Sequence, residues 1–123
     1  MGTGTDLWHQ FEALLKERDL AGASSFTSDG VHVAPIGRRE GREAIGAFWE
    51  EMRKGVSEIN MTTSLVLEDG GTVVAEWSYR ATATGITREL AGVTLATVRD
   101  GKFAAMRDYY DTANANELTP VDP

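Results

Sequence analysis

Residues 92–111 read GVTLATVRDGKFAAMRDYYD, two runs of alternating side chains that meet at Asp100-Gly101. A period of two is the strand period, and Asp-Gly between two such runs is a tight hairpin turn. The reading places one strand over about 89–99 and a final strand over 102–110. Along the final strand Ala104, Met106, Asp108 and Tyr110 fall on one face, and Phe103, Ala105, Arg107 and Tyr109 on the other. If the first face is interior, Asp108 is a buried acid, and Arg107 points the wrong way to neutralise it. Burying an unpaired carboxylate costs on the order of several kcal/mol. Carboxyl groups in apolar surroundings hold their protons more tightly, which suits proton transfer near neutral pH. A surface Asp beside a solvated Arg fits the same letters, and the pattern alone leaves both readings open.

Working back from this hairpin, the strand period persists to the middle of the chain. Val73, Ala75, Trp77, Tyr79 and Ala81 share one face of a regular strand, with Val74, Glu76, Ser78, Arg80 and Thr82 on the other. Before it, Met61, Thr63, Leu65 and Leu67 alternate with Thr62, Ser64, Val66 and Glu68, and Asp69-Gly70-Gly71 is a turn signal. Thr84-Gly85 breaks the regular strand before the next begins. Four strands joined by three hairpins make an antiparallel sheet.

Upstream of Gly55 the period is helical. Leu7, Trp8, Phe11, Leu14 and Leu15 form one stripe over 6–18, and Ala44, Ile45, Phe48, Trp49 and Met52 form another over 42–54. Asp19 can cap a short second helix through Leu20, Ala23 and Phe26, ended by Ser28-Asp29-Gly30. A short strand, 31–34, then runs into Pro35, and 37–41 reads as a charged loop. The tail from 114 to 123 has no period. Helices first and strands afterwards give an α+β fold: a cone-shaped, curved antiparallel sheet wrapped around N-terminal helices. Residues 1–123 form a single domain with an ordered core of about 6–112.

Composition narrows the function. Nineteen acidic against 12 basic side chains give a net charge of -7, which argues against nucleic acid and anionic membranes as partners. There is no cysteine, so neither a disulfide framework nor a thiolate nucleophile. The first residues, MGTGTDLW, lack the charged and apolar blocks of a secretory signal, and a cytoplasmic location is expected. No apolar run approaches the ~20 residues that span a bilayer.

Other chemistry-bearing patterns are weak. Gly2-Thr3-Gly4 precedes the first helix and is not a phosphate loop between strand and helix. His9 and His32 lie far apart without ligand spacing, so neither metal nor other cofactor is expected. Ser24, Ser25 and Thr27 have no neighbouring base. Arg38, Arg39 and Arg42 could attract an anion or simply form a solvated loop with Glu40 and Glu43.

The order of elements, with DGVHVAPIGRREGREAIGAFW at 29–49 and GVTLATVRDGKFAAMRDYYD at the end, resembles the nuclear-transport-factor-2-like superfamily. Within it, the chain is similar to the SnoaL-like polyketide cyclases and the limonene epoxide hydrolases, from Trp8 to about Thr112. The resemblance implies a cystatin-like α+β barrel and a single SnoaL-like domain. The last aspartate of the epoxide hydrolase set falls on Asp108. Trp77 and Tyr79 stand in place of its Arg and other Asp, and Val31 and Val33 in place of its Tyr and Asn. The ketosteroid isomerase acids align near Ala34 and Thr94 and are likewise replaced. What the cyclases imply is an acid/base at Asp108 acting in an apolar, aromatic cavity without a metal.

The expected function is therefore cofactor-free acid/base catalysis on an apolar, polyketide-like carbonyl compound by a cyclase or isomerase. Asp108 is the acid/base, Tyr79 the donor to the carbonyl oxygen, and His32 a second-choice partner whose side of the strand the pattern leaves open. Trp77, Trp49, Met106, Thr94, Tyr110 and Met52 are expected to line the pocket, although such residues also serve as plain core. An epoxide hydrolase or epoxide-opening cyclase, and a non-catalytic ligand-binding or interaction module, are the alternatives. Val74, Val93, Leu95 and Tyr109 make the outer sheet face unusually apolar, and a homodimer through that face is expected.

Overall fold

The computed structural model describes residues 3–16, 25–35 and 37–111. The short helix expected through Leu20 and Ala23, and the tail, lie outside the described residues, as do the side chains of Leu15 and Met52. In chain order the elements are α1 (Thr3–Lys16), β1 (Phe26–Ala34), β2 (Gly37–Glu40), α2 (Arg42–Arg53), β3 (Val56–Asp69), β4 (Thr72–Ala83), β5 (Ile86–Arg99) and β6 (Lys102–Tyr110). The six strands form one unclosed sheet in the order β2-β1-β6-β5-β4-β3.

The α+β class holds, and the three hairpin-linked contacts from β3 to β6 are antiparallel as expected. The sheet as a whole is mixed, because β1 lies parallel to β6. The chain between them leaves the sheet through α2 and returns through three hairpins, so the last strand comes back beside the first in the same direction. Two segments differ from their sequence reading. Phe26 opens β1 instead of closing a helix, and 37–40 is an edge strand paired to β1, not a loop. One glycine and three charged residues on a four-residue edge carry no apolar alternation that would register as a strand.

Bulges bend the sheet and invert the alternation. In β3 the register passes from Thr63↔Trp77 to Leu65↔Glu76, leaving Ser64 unmatched. Its hydroxyl donates to the Glu76 carboxylate at 2.8 Å. Beyond that extra residue Val66 turns inward while Leu65 and Leu67 turn out to solvent, so the face expected from alternation is split. Ala104 does the same in β6, where Thr97 pairs with Ala105 but Val98 with Phe103. Phe103, expected outside, is consequently fully buried together with Met106. The turn chemistry at Ser28-Asp29-Gly30 appears as a further irregularity, between the Phe26↔Phe103 and Val31↔Ala105 pairings.

α1 begins at Thr3, earlier than the sequence suggests, because the sheet caps it. The backbone amides of Gly4 and Thr5 donate to the two Glu68 carboxylate oxygens at 3.1 and 3.0 Å. A carboxylate at a helix N-terminus answers both the unpaired amides and the helix dipole. Gly4 is required by close approach: a Cβ there would lie 2.5 Å from a Val73 methyl. Inward, Trp8 and Phe11 from α1 meet Phe26, Trp49 and Phe103, with Phe11 within 6.4 Å of each of the other four ring centroids. Ile45 of α2 is fully buried, whereas Ala44, counted in its apolar stripe, is exposed.

Candidate functional site

Asp108 sits on β6 opposite Thr94 of β5, two residues beyond Met106, which pairs with His32 on the parallel neighbour β1. Strand alternation and the β1–β6 pairing bring these side chains to one face. His32 Nε2 lies 2.8 Å from Asp108 Oδ2, and the Thr94 hydroxyl donates to Asp108 Oδ1 at 2.7 Å. The Trp77 indole Nε1–H donates in turn to Thr94 Oγ1 at 2.8 Å. Four residues from four strands are thus joined in one chain. The His32 side chain is only 4% exposed and that of Asp108 19%.

The orientation of His32, open in the sequence, is inward. Its ring is walled by Phe26, Phe48 and Trp49, with centroids at 6.4, 6.2 and 5.8 Å. A buried imidazole among aromatic rings needs a polar partner, and Asp108 supplies it. Asp108 is accordingly a hydrogen-bonded acid, neither the unpaired buried carboxylate nor the solvated surface residue of the two sequence readings.

Gly92 makes the Trp77 contact possible. A Cβ there would lie 2.7 Å from the indole carbons Cζ2 and Cη2 and from the Tyr109 carbonyl, so the ring crosses β5 over a bare backbone. Tyr110, two residues beyond Asp108 on the same face, packs edge-on against Trp77 at 6.3 Å. Its phenol is pushed up to about 12 by burial first and by the Asp108 charge second, and so stays a hydrogen-bond donor at any physiological pH. Asp108 and Tyr110 both open on a recess of about 390 Å³ that Val33, Ala34, Pro35, Arg107 and Tyr109 complete.

The other expected site residues are distributed around this chain. Tyr79 faces inward but pairs with Leu90 and Met61, four residues further along the sheet than the Asp108–Thr94 pair, or about 13 Å of strand rise. Met106 is 1% exposed and belongs to the packed core. Trp49 joins the aromatic cluster and touches His32 through its ring. The Arg residues are engaged locally: Arg38 with Glu40, Arg39 over the Phe48 ring at 3.9 Å, and Arg42 with the Phe26 carbonyl at 3.0 Å. Among the described residues no three His, Cys, Asp or Glu side chains converge as a metal site would require, and no helix is long and apolar enough to cross a membrane.

The sequence reading left open whether His32, its second-choice partner for Asp108, turns towards that residue, and it missed the bridging role of Thr94, expected only as pocket lining. The only available signal for the first was that His32 and Asp108 each lie on a strand beside apolar residues that face the core. Their meeting depends on β1 lying next to β6, which no local pattern encodes.

Comparison with solved structures places this geometry on a widely used frame. TerC crystallised with polyporic acid is 25% identical, with a TM-score of 0.84 over 95% of this chain and 98% of that one. An NTF2-like protein of unknown function from Burkholderia pseudomallei k96243 is 21% identical, with a TM-score of 0.87 over 98% and 100%. An LEH-like epoxide hydrolase from M. tuberculosis is 17% identical, with a TM-score of 0.80 over 93% and 86%. No curated protein matches the chain. The model of the SnoaL-like domain matches residues 8–106, from the first helix through the strand that carries Asp108 almost to that residue, and the chain belongs to the SnoaL-like domain family.

Proposed function

We propose that this protein is an acid/base enzyme that moves a proton on a mainly apolar carbonyl compound, most plainly to close a ring in a polyketide-like intermediate. The observation that carries the reading is the His32–Asp108 pair at 2.8 Å, buried among aromatic rings yet opening at Asp108 onto a recess. Asp108 takes the proton from the carbon next to a carbonyl. The electron pair left behind moves onto the carbonyl oxygen as an enolate, which accepts a hydrogen bond from a phenol. Tyr110 is better placed for this than Tyr79, since it shares both strand and recess with Asp108. The enolate carbon then attacks a second carbonyl of the same molecule, and the new alkoxide recovers the proton from Asp108. Atoms and electrons balance without an external oxidant or a cofactor. His32 compensates the changing charge on Asp108 through the shared Oδ2···Nε2 contact.

The crystallisation of TerC with polyporic acid supports a small organic ligand for the frame. Solvent exchange tests the reading before a substrate is known. A panel of aromatic and alicyclic ketones in deuterated water should gain deuterium next to the carbonyl faster with the protein than without. Asp108→Asn should lower that rate about a hundred- to ten-thousand-fold. Equal exchange by wild type and variant would remove Asp108 from the mechanism. Tight capture of a ketone with no exchange would instead favour a ligand-binding module, and solvent oxygen incorporated from labelled water into an opened epoxide would favour hydrolysis.

We also propose that the outer sheet face pairs with a second copy of the chain. Leu67, Val74 and Leu95 form one cross-strand row ending at Arg107, and Leu65, Glu76, Val93 and Tyr109 form the next. Leu67 is 56% and Tyr109 49% exposed. One acidic and one basic side chain set in an apolar field suit two-fold pairing, in which Glu76 of each copy meets Arg107 of the other.

A further inference from the structure

The geometry points to Trp77 and Thr94 as a one-way hydrogen-bond relay that positions Asp108 and holds it as a base, an inference that rests on the acid/base reading above. Donor chemistry fixes the direction. An indole N–H can only donate, so Thr94 Oγ1 must accept from Trp77 at 2.8 Å. Threonine has a single hydroxyl hydrogen, and it goes to Asp108 Oδ1, 2.7 Å away. Turning Thr94 round to accept from Asp108 would use its second lone pair but would take its single hydrogen off the carboxylate, the partner that hydrogen has here. The first link is buried, with Thr94 1% and Trp77 7% exposed, and the second ends on Asp108, whose side chain is 19% exposed.

A donor locked onto a carboxylate favours its charged form. The titratable groups facing Asp108 are His32 from β1 and Tyr110 from its own strand, while β4 and β5 contribute only the neutral Trp77 and Thr94. Arg107 shares the recess from the opposite face of β6, and α2 brings the uncharged Phe48 and Trp49 against the His32 ring. Neither Trp77 nor Thr94 reaches the recess that Asp108 opens on, so both act through Asp108. The relay also makes Trp77 a reporter: whatever changes the charge of Asp108 changes the polarisation of Thr94 and hence the indole N–H.

Nuclear magnetic resonance of the ¹⁵N-labelled protein tests this without substrate. The Trp77 indole resonance, identified by its loss in Trp77→Phe, should shift with pH in step with the His32 ring carbons, because His32 and Thr94 hold the two oxygens of one carboxylate. Thr94→Ser should keep that inflection on the indole. Thr94→Val should abolish it while the His32 inflection remains. Should Thr94→Val not fold, Asp108→Asn serves the same purpose, since it removes the charge and should leave the indole resonance flat. With a substrate in hand, Trp77→Phe should move the acid limb of the pH–rate profile to higher pH. An indole resonance that ignores pH in the wild type, or an inflection that survives Thr94→Val, would overturn the relay, whether or not the ketone exchange succeeds.

Discussion

His32 Nε2 and Asp108 Oδ2 stand 2.8 Å apart, from strands 76 positions apart in the chain and with the imidazole almost wholly enclosed. Removing one member leaves the other buried without its partner, which costs about 1–3 kcal/mol. Asp108→Ala should therefore lower stability by about 2 kcal/mol in urea unfolding, with Asp108→Asn losing less because its amide oxygen can still accept from Thr94. Equal stability of wild type and Asp108→Ala would mean that the pair contributes nothing to the fold.

Gly92 tests the steric side of the same site. A methyl group there meets the Trp77 ring and the Tyr109 carbonyl at 2.7 Å, and the carbonyl belongs to a paired strand that cannot give way cheaply. Gly92→Ala should cost about 1–3 kcal/mol, as overpacking does, and should shift the Trp77 indole away from Thr94. The expected readouts are a lower unfolding midpoint and a changed Trp77 indole resonance. A variant that matches the wild type in both would show that the ring does not lie over β5.

Much of this site was legible in pieces. The 102–110 strand placed Asp108, Met106 and Tyr110 on one face, and the neighbouring strands supplied Trp77 and Thr94 on theirs, because hairpin partners follow one another in sequence. The β1–β6 pairing was not legible, since parallel neighbours are chosen by the global path of the chain and not by a turn. That pairing decides where His32 points. Bulges hid the rest: one extra residue at Ser64 and one at Ala104 exchange the two faces of their strands, which is why Leu65 and Leu67 part from Met61, with which alternation grouped them, and Phe103 turns inward. Polar or small residues at those positions carry no mark that separates them from ordinary alternation.

The outer face carries a prediction about assembly. With Leu67, Val93 and Tyr109 exposed on one side of the sheet, the protein should sediment as a dimer at micromolar concentration. Tyr109→Arg should shift it to monomer without unfolding it, since that side chain faces away from the core. A wild-type monomer under these conditions would remove the proposed pairing.

At acid pH the N-terminus of α1 should loosen. The amides of Thr5 and Gly4 hold Glu68 below its ordinary value of 4.5, outweighing a smaller opposing effect of burial. A depressed folded value contributes stability that is present above about 4.5 and is lost as pH falls through the lowered value. Glu68→Gln should thus be less stable than wild type in thermal unfolding at pH 7, and the gap should be smaller at pH 3. A gap that is the same at both values would assign the capping effect to shape and not to charge.

Tyr110 gives the opposite sign at the other end of the scale. Burial and the nearby Asp108 charge raise its phenol from 10.0 to about 12. The unfolded chain releases that proton at about 10 while the folded chain keeps it, so the stability linked to Tyr110 is complete below 10 and drains away as pH rises through 12. Tyr110→Phe has no proton to lose, and the difference between the two proteins isolates this one group from the lysines and the other tyrosines. Urea unfolding at pH 9, 10 and 11 should show wild type losing ground steadily against Tyr110→Phe. A constant difference would mean that the phenol is neither buried nor held next to the Asp108 charge, and the donor assigned to the enolate oxygen would have to be sought elsewhere on the inner face.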